Sequence, residues 1–356
     1  MGHSLVAFII VIGVLVFIHE LGHFLAARLC GVGVQVFSLG FGPKILKKVY
    51  GRTEYCLSAI PLGGYVKMMG EEPGAELAPE DHHLSFTEKS LAKKSLIVAA
   101  GPSFNFFLAI FIFYLLYQFS GIYLARPIIG KVLENSPAQS AGLMPGDVIR
   151  EINGKKVESF EDIKGRVSQG DGNRIQIILE REGTAKEIIL IPEKRPDKNE
   201  FGENVDRYVI GILGSGEVFH KSLNPFQAMG MSLADTWSMV KLTVVSVAKM
   251  INGSLSPRNL GGPIMIAQMA GEQAKAGMVN FVWFIALVSV NLGIINIFPI
   301  PVLDGGHLLF FGIEAVTGRS VSEKLREKMM QVGAALLVAL MIFVFYNDIL
   351  RNVNGG

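Results

Sequence analysis

Four long apolar runs constrain the fold of this chain more than any other feature. A run of roughly 20 apolar residues can cross a bilayer as a helix. The runs lie at about residues 5–29, 96–123, 278–298 and 332–345. Half of the residues are hydrophobic and only 18% are charged, which excludes a disordered chain and argues against a purely soluble one. The sequence therefore predicts a polytopic α-helical membrane protein with about four transmembrane helices.

Lys and Arg near the ends of the runs predict the orientation of the chain. They are concentrated between the first and second runs and between the third and fourth, and cytoplasmic loops carry such an excess. Both connections are predicted to be cytoplasmic, and both termini and the long segment between the second and third runs extracytoplasmic. The first run could instead be a signal peptide, but no Lys or Arg precedes Leu5, so its usual basic start is absent.

Charge and cysteine content exclude several classes of function. The net charge is only +2, far below the basic excess of a nucleic-acid-binding protein, so no nucleic acid is expected as a partner. Cys30 and Cys56 are the two cysteines of the chain, too few for a disulfide scaffold or a four-cysteine zinc site.

The segment after the second run contains a compact, mostly β unit at about residues 124–200. Short alternating apolar stretches and the hairpin signal Asn153-Gly154 predict its strands. The run SPAQSAGLMPGDVIREINGKKV resembles the bacterial PDZ domain, a module that binds an extended peptide as an added strand. The resemblance implies a groove at Ile128, Ile129 and Gly130. A small β spacer without a ligand is the alternative.

The region at residues 201–277 mixes apolar and polar residues near helical spacing. This pattern predicts amphipathic helices that lie on the membrane surface or pack against the spans. Ordinary core packing explains the same periodicity equally well.

The first apolar run contains the pattern HExxH, formed by His19, Glu20 and His23. Residues i and i+4 share one face of a helix, so both imidazoles can reach one metal ion, and Glu20 is placed to contact a water on that metal. A charged residue at the centre of a membrane helix costs roughly 2.5–3.5 kcal/mol, so this polar group needs a reason. A zinc site explains all three residues, whereas a helix-packing cluster or a proton relay is the alternative.

A catalytic zinc needs a third protein ligand. Residues 24–53 contain no Asp or Glu, so this ligand must be remote in sequence. Asp304 follows Pro299 and Pro301, which interrupt a helix, and a broken helix at membrane depth lines a cavity or is buried in protein. Asp304 is therefore the best candidate, and His307 is the alternative ligand.

These motifs together resemble the site-2 protease family of intramembrane zinc metalloproteases. HELGH matches its zinc motif, NIFPIPVLDGGH its second signature, and GPSFN its motif in the second span. The match is closest to the bacterial regulator of sigma E protease type, here with a single PDZ domain. The resemblance implies Zn²⁺ as cofactor, His19, His23 and Asp304 as its ligands, and Glu20 as the catalytic acid/base that activates the zinc-bound water.

The resemblance also implies a substrate site. Asn296 would orient the substrate backbone or the oxyanion, although an Asn that caps a helix is the alternative. The stretches SLGFGPK and TEYCLSAIPLGGYVKM match a cytoplasmic membrane-associated β region of the family. Within it, Tyr65 and Val66 would belong to a strand edge that holds an unwound substrate. An ordinary hairpin explains the same strand pattern.

A second element of this β region is Gly40-Phe41-Gly42, a candidate re-entrant turn beside the site, or a plain loop.

The expected divisions of the whole chain are a first transmembrane helix with HExxH (1–30), a cytoplasmic loop with the β region (31–95), a second transmembrane helix (96–123), the PDZ domain (124–200), the amphipathic region (201–277), a third transmembrane helix with the LDG motif (278–312), a cytoplasmic loop (313–329) and a fourth transmembrane helix (330–350).

The implied activity is that of a multi-pass zinc metalloendopeptidase of the bacterial inner membrane, with its active site toward the cytoplasm. It would hydrolyse trimmed single-span proteins, such as an anti-sigma factor or remnant signal peptides, in or near their transmembrane segment during regulated intramembrane proteolysis in the envelope stress response. Expected partners are these substrates, a peptide or trimmed substrate end at the PDZ domain, and the lipid bilayer. A membrane-anchored PDZ scaffold or quality-control factor without proteolysis is the alternative.

Overall fold

A computed structural model describes residues 2–71 and 77–353. The chain divides into two compact units. Residues 1–116 and 226–356 form the first, which we call the membrane unit, and residues 117–225 form the second, the inserted unit.

The helices and strands follow one another along the chain in two sets. The α-helices are α1 (Gly2–Leu29), α2 (Leu91–Ser120), α3 (Pro137–Ser140), α4 (Phe160–Ser168), α5 (Pro225–Ile251), α6 (Pro263–Ala276), α7 (Met278–Ile297), α8 (Asp304–Thr317) and α9 (Glu323–Val353). The β-strands are β1 (Val34–Tyr50), β2 (Thr53–Met68), β3 (Ile122–Ala125), β4 (Ile129–Val132), β5 (Val148–Ile152), β6 (Lys155–Lys156), β7 (Ile175–Arg181), β8 (Thr184–Leu190), β9 (Glu193–Lys198), β10 (Asn204–Val209), β11 (Ile212–Gly214) and β12 (Val218–Lys221).

Within the described residues, four helices are long and apolar enough to cross a membrane: His3–Leu29, Leu91–Ser120, Met278–Ile297 and Glu323–Val353. They agree with the four runs predicted from the sequence and with a multi-pass membrane protein. The last helix starts earlier than its apolar run, because the Glu, Lys and Arg residues that precede the run are good helix formers.

The third apolar segment is interrupted. Helix α7 ends at Ile297 and α8 begins at Asp304, and the intervening residues include Pro299 and Pro301, which cannot donate helical hydrogen bonds. A Cβ atom on Gly305 would overlap the carbonyl oxygen of Ile297. The first turn of α8 can therefore lie directly against the end of α7, and Asp304 is held at this break.

The β region of the membrane unit folds back on itself. Strands β1 and β2 pair antiparallel at residues 34–39 with 64–68 and at 44–50 with 53–58. Several residues have two partners: Ser38 pairs with Tyr65 and with Cys56, and Cys56 pairs with Ser38 and with Lys47. The chain therefore forms four adjacent segments, in the order 64–68, 34–39, 53–58, 44–50.

The turn between two of these segments lies at Gly40-Phe41-Gly42. Gly40 and Gly42 have φ angles of +90° and +82°, a region that favours glycine. Residues on either side of this turn, Ser38 and Lys47, pair with Cys56 from opposite sides. The chain thus reverses where the sequence predicts a turn, although the turn is a strongly bent part of β1 and not a separate loop.

Helix α6 is tied to the last candidate span by a buried carboxylate. Asp348 of α9 accepts hydrogen bonds from the backbone N–H groups of Gly262, Ile264 and Met265 at 3.0–3.1 Å. These donors lie at the start of α6, where backbone N–H groups have no partner within the helix. Helices α5 and α6 occupy the later part of the region predicted as amphipathic, and the earlier part forms strands.

The inserted unit is built around one apolar core. Its main sheet has the order β6-β5-β7-β8, and alternate residues of β7, Ile175, Ile177 and Leu179, are buried. They pack with buried residues of β5 and α4, among them Ile149 and Ile163. Strands β4, β5 and β7 thus lie within the stretch where the sequence predicts a compact, mostly β unit.

Several elements of the inserted unit are not evident from the apolar pattern. Helix α4 is short and starts with a capping box, in which Ser159 accepts from the Asp162 amide and Asp162 accepts from the Ser159 amide. Strand β11 returns to pair antiparallel with β4. The compact unit extends from Tyr117 to Pro225, and the PDZ limits of 124–200 stay a prediction within it.

Candidate active site

Helix α1 brings two imidazoles together. His19 and His23 lie one turn apart on one face, and their Nε2 atoms are 3.2 Å apart. Their side chains are only 12% and 10% exposed. The helical spacing of HExxH therefore has the geometric consequence that the sequence predicts.

The third group comes from the break between α7 and α8. The Oδ2 atom of Asp304 lies 3.2 Å from Nε2 of His19 and 3.4 Å from Nε2 of His23. This oxygen is buried and has no hydrogen-bond partner. Among the residues that the structure describes, these three side chains are the group of His, Cys, Asp or Glu residues able to hold a metal ion.

The donor atoms fit zinc. Tetrahedral zinc bound at about 2.0–2.1 Å holds its ligand atoms about 3.3 Å from one another, and the three distances here are 3.2, 3.2 and 3.4 Å. Two imidazole nitrogens and one carboxylate oxygen are a donor set of catalytic zinc, which leaves a fourth position for water or substrate. A zinc ligand needs a lone pair that no other group of the protein uses, and the Oδ2 atom of Asp304 meets this requirement.

Groups of helix α2 contact the Nδ1 atoms of both imidazoles. Nδ1 of His23 lies 3.0 Å from the carbonyl oxygen of Ile97, an acceptor that requires a proton on Nδ1 and leaves Nε2 available as a ligand. Nδ1 of His19 lies 3.1 Å from the side-chain amide of Asn105. The motif GPSFN thus contacts the predicted zinc site, a role that the sequence pattern alone does not reveal.

Small residues permit this close approach of α1 and α2. A Cβ atom on Gly101 would overlap the ring of His23, and one on Gly22 would lie 2.5 Å from the carbonyl oxygen of Ala100. Glycine at membrane-helix contacts allows backbones to approach closely. Gly101 therefore leaves room for the His23 ring.

The three groups line a cavity of about 520 Å³ that also includes Glu20. Tyr65 and Val66 of the segment 64–68 form part of its wall. A Cβ atom on Gly64 would lie 3.1 Å from Cγ of Glu20, so this segment runs directly beside the predicted acid/base. Of the predicted substrate-binding residues, Tyr65 and Val66 are thus brought to the site.

The other predicted substrate-binding residues do not line this cavity. Asn296 lies in the last turn of α7, and its role stays a prediction. Gly40, Phe41 and Gly42 lie in the bent part of β1, and the Phe41 ring stacks on that of Tyr65 with centroids 6.2 Å apart. Phe41 therefore contacts a residue of the cavity wall, Tyr65.

His307, the alternative ligand, has a different environment. It lines the cavity, but its Nδ1 atom accepts a hydrogen bond from Arg326 at 3.2 Å. It does not belong to the group of three donors within the described residues. The geometry therefore favours Asp304 over His307.

The inserted unit contains two cavities, and one of them is lined by a residue of the predicted groove. Ile129 and Gly130 belong to β4, which pairs with β11, and Ile128 bridges to Val148. A cavity of about 560 Å³ is lined by Ile128 and Val148. Another, of about 410 Å³, lies between β11 and α4, where its walls include Ile212 and Val167. The groove predicted at Ile128, Ile129 and Gly130 stays a prediction.

Membrane-length helices that carry HExxH and converge with a distant aspartate are typical of membrane-bound metalloproteases. The chain belongs to peptidase family M50, the site-2 protease family, whose model matches residues 7–340. It is therefore a zinc metalloprotease, and Zn²⁺ is its cofactor.

Relatives from several bacteria match nearly the whole chain, and each carries the name "Putative zinc metalloprotease". A protein of Mesorhizobium japonicum is 38% identical over 97% of this chain and 98% of its own length. One of Campylobacter jejuni is 38% identical over 97% of this chain and 93% of its own. One of Vibrio cholerae is 32% identical over 98% of both chains, in an alignment of 454 residues that therefore includes long insertions relative to this chain.

Proposed function

We propose that this metalloprotease cuts single-span membrane proteins, already trimmed outside the membrane, in or near their transmembrane segment. The observation that supports this is the convergence of His19, His23 and Asp304 in a cavity shared with Glu20. Two of these donors and Glu20 belong to a helix long and apolar enough to span a membrane. A peptide bond of a membrane-embedded substrate is the substrate class that such a location favours.

His19 and His23 through Nε2, and Asp304 through Oδ2, would hold the zinc ion. When bound, zinc polarises the scissile carbonyl and lowers the pKa of water at the open position toward 7. The Glu20 carboxylate would accept a proton from the attacking water and then donate it to the leaving nitrogen of the cleaved bond.

The segment 64–68 would hold the substrate in extended form. A transmembrane helix satisfies its own backbone hydrogen bonds, so hydrolysis requires it to unwind locally. One side of this segment pairs with residues 34–39, and in the described part of the chain no other strand pairs with its outer side. Addition of the substrate as a further strand would place it along Tyr65 and Val66, beside Glu20.

We also propose that the inserted unit is a PDZ domain whose groove lies between β11 and α4. One side of β11 pairs with β4, and α4 flanks the cavity on its other side. A strand beside a helix is the arrangement that accepts an added peptide strand. The unit would bind the trimmed end of a substrate or would exclude substrates that are too large.

The expected location is the bacterial inner membrane, with both termini and the inserted unit outside the cytoplasm. The distribution of Lys and Arg around the four spans supports this orientation. Cleavage of a trimmed anti-sigma factor or of remnant signal peptides would be consistent with such a topology and with a role in the envelope stress response.

Cleavage of a tagged single-span substrate that lacks its ectodomain tests the proposal. We expect cleavage by the wild type and none by Glu20→Gln, because the amide cannot accept the water proton. Glu272→Gln makes the same acid-to-amide change at an exposed position of α6 and is expected to cleave normally. Cleavage that survives Glu20→Gln at equal expression would contradict the mechanism and favour a scaffold.

The role of the inserted unit needs a separate pair of variants. In one, a short linker replaces residues 122–221; in the other, Lys164→Glu changes the charge of the groove wall. Cleavage of an untrimmed substrate by the deletion variant alone would indicate a size filter. Reduced cleavage of trimmed substrate by Lys164→Glu would indicate peptide docking, and normal behaviour of both variants would contradict either role.

A further inference from the structure

One buried polar group beside the predicted zinc site has no partner. Asn105 of α2 is fully buried, and its Nδ2 atom faces Nδ1 of His19 at 3.1 Å. Its Oδ1 atom is buried and accepts no hydrogen bond. Leaving a buried polar atom of an amide unsatisfied costs about 1–3 kcal/mol, so packing alone gives no reason for an amide at this position.

The direction of the contact conflicts with metal binding. In this arrangement Asn105 donates to Nδ1 of His19, so the proton of the neutral ring is on Nε2, the atom that faces Asp304. A nitrogen that carries a proton cannot be a zinc ligand. The oxygen and nitrogen of an amide have nearly the same shape, so a half-turn of the Asn105 amide exchanges them. Oδ1 then accepts from Nδ1–H, and Nε2 presents its lone pair to the metal.

The surroundings of His23 show the same principle with a different acceptor. Its Nδ1 atom lies 3.0 Å from the carbonyl oxygen of Ile97, which fixes the proton on Nδ1. Gly101 and Asn105 are one turn apart on α2, as His23 and His19 are on α1. Gly101 faces His23, and Asn105 faces His19. Gly101 leaves room for the His23 ring, which bonds to a backbone carbonyl oxygen. Asn105 offers a side-chain acceptor to the His19 ring.

We infer that Asn105 is a positioning residue, whose Oδ1 atom accepts from Nδ1–H of His19 in the zinc-loaded protein and so presents Nε2 to the metal. This inference rests on the zinc ligands proposed above. The backbone of Asn105 is held independently of its side chain, since its carbonyl oxygen accepts a hydrogen bond from Ser289 at 2.8 Å. Substitutions of the side chain therefore leave this anchor of α2 in place.

Zinc affinity of the purified full-length protein in detergent tests the inference. The metal is removed and returned in competition with a chromophoric chelator, and the Co²⁺-substituted protein is examined by visible absorption. Asn105→Leu, which keeps the bulk but removes the acceptor, is expected to bind zinc about 10- to 100-fold more weakly and to alter the Co²⁺ spectrum. Asn105→Asp restores an acceptor and is expected to bind zinc at least as tightly as the wild type.

Two controls separate this role from general effects. Asn291→Leu removes another amide from a membrane helix, one that bonds to Thr243, and is expected to leave zinc affinity unchanged. Asn105→Ala repeats the test with a smaller side chain if Asn105→Leu does not fold, with the same expected loss. Zinc binding within twofold of wild type in the leucine or alanine variant, or an equal loss in Asn105→Asp, would overturn the inference.

A further variant distinguishes failure of the inference from failure of the proposed site. His19→Ala is expected to abolish tight zinc binding. If it binds zinc as the wild type does, the proposed ligands are wrong. If His19→Ala loses zinc while Asn105→Leu keeps it, only the role of Asn105 is wrong.

Discussion

Asp147 in the inserted unit and Asp304 in the membrane unit are both carboxylates with low exposure, 1% and 19% of their side chains. The two oxygens of Asp147 accept from Nε and Nη2 of Arg181 at 2.7 Å, and one also accepts from the Met144 amide. The Oδ2 atom of Asp304 has no hydrogen-bond partner and faces two imidazole nitrogens. A saturated carboxylate stabilises its unit, whereas an unsatisfied one keeps its lone pairs available for a metal.

The largest expected effect concerns Asp304. We expect Asp304→Asn to weaken zinc binding by more than about 100-fold, since the neutral amide is a poor zinc ligand. In the metal-free protein the same change is expected to leave thermal stability unchanged or to raise it, because a neutral amide replaces a largely buried carboxylate whose Oδ2 atom has no hydrogen-bond partner. Chelator competition and thermal unfolding measure the two effects. A large loss of stability without metal would show that Asp304 is structural, as Asp147 is.

The converse is expected for Asp147. Asp147→Ala leaves the guanidinium of Arg181 without its buried partner and is expected to destabilise the inserted unit by about 3–5 kcal/mol. Glu180→Ala is the matched control, because its partner Arg150 is exposed and such pairs contribute about 0–1 kcal/mol. Hydrogen exchange of the β5 and β7 amides in the full-length protein measures both. Equal effects of the two variants would contradict the comparison.

Asp348 adds a third buried carboxylate, which lies in the membrane unit but is saturated. We expect Asp348→Ala to destabilise the start of α6 by about 1–3 kcal/mol, since three backbone N–H groups lose their acceptor. Faster hydrogen exchange at the first turn of α6, with zinc affinity unchanged, would show that saturation and not location separates structural from metal-binding carboxylates. Loss of zinc in this variant would argue against that rule.

The smallest expected effect is the pH dependence of the inserted unit. Burial alone would raise the pKa of Asp147, but hydrogen bonds from Arg181 and the Met144 amide outweigh it and hold the pKa below its usual value. The stabilisation is therefore complete above the unfolded pKa of about 3.9 and is lost as the pH falls through the lower pKa of the folded state. Between pH 3 and 7, the stability of the unit measured by hydrogen exchange of the β5 amides is expected to vary less in Asp147→Asn than in the wild type. An equal dependence would assign the effect to other groups.

The sequence predicts much of the candidate site, because its key signals are local. Helical periodicity brings His19 and His23 together, and two prolines mark the break that presents Asp304. The contact of Asn105 with His19 depends on how far α2 is shifted along α1, and no local pattern encodes that shift. A signal was nevertheless available, since Asn105 is an amide within an apolar run, one turn after a glycine.

The fold of the inserted unit shows the same limit. Its central strands alternate clearly, but α4 spans nine residues and is recognisable mainly from the Ser159 and Asp162 cap. Strand β11 has three residues, and its partner β4 is distant in sequence, so this pairing could not be located from periodicity. Short elements that pair over long distances depend on tertiary contacts that a single sequence does not display.

The candidate metal-binding cluster joins position 19 to position 304 of a 356-residue chain. Because ribosomes build proteins from the N-terminus, α1 and both of its imidazoles are made and inserted long before Asp304 is added. A partly synthesised chain therefore carries two of the three donor atoms, fewer than a catalytic zinc site requires. The order of synthesis thus leaves the candidate metal site incomplete until most of the chain exists.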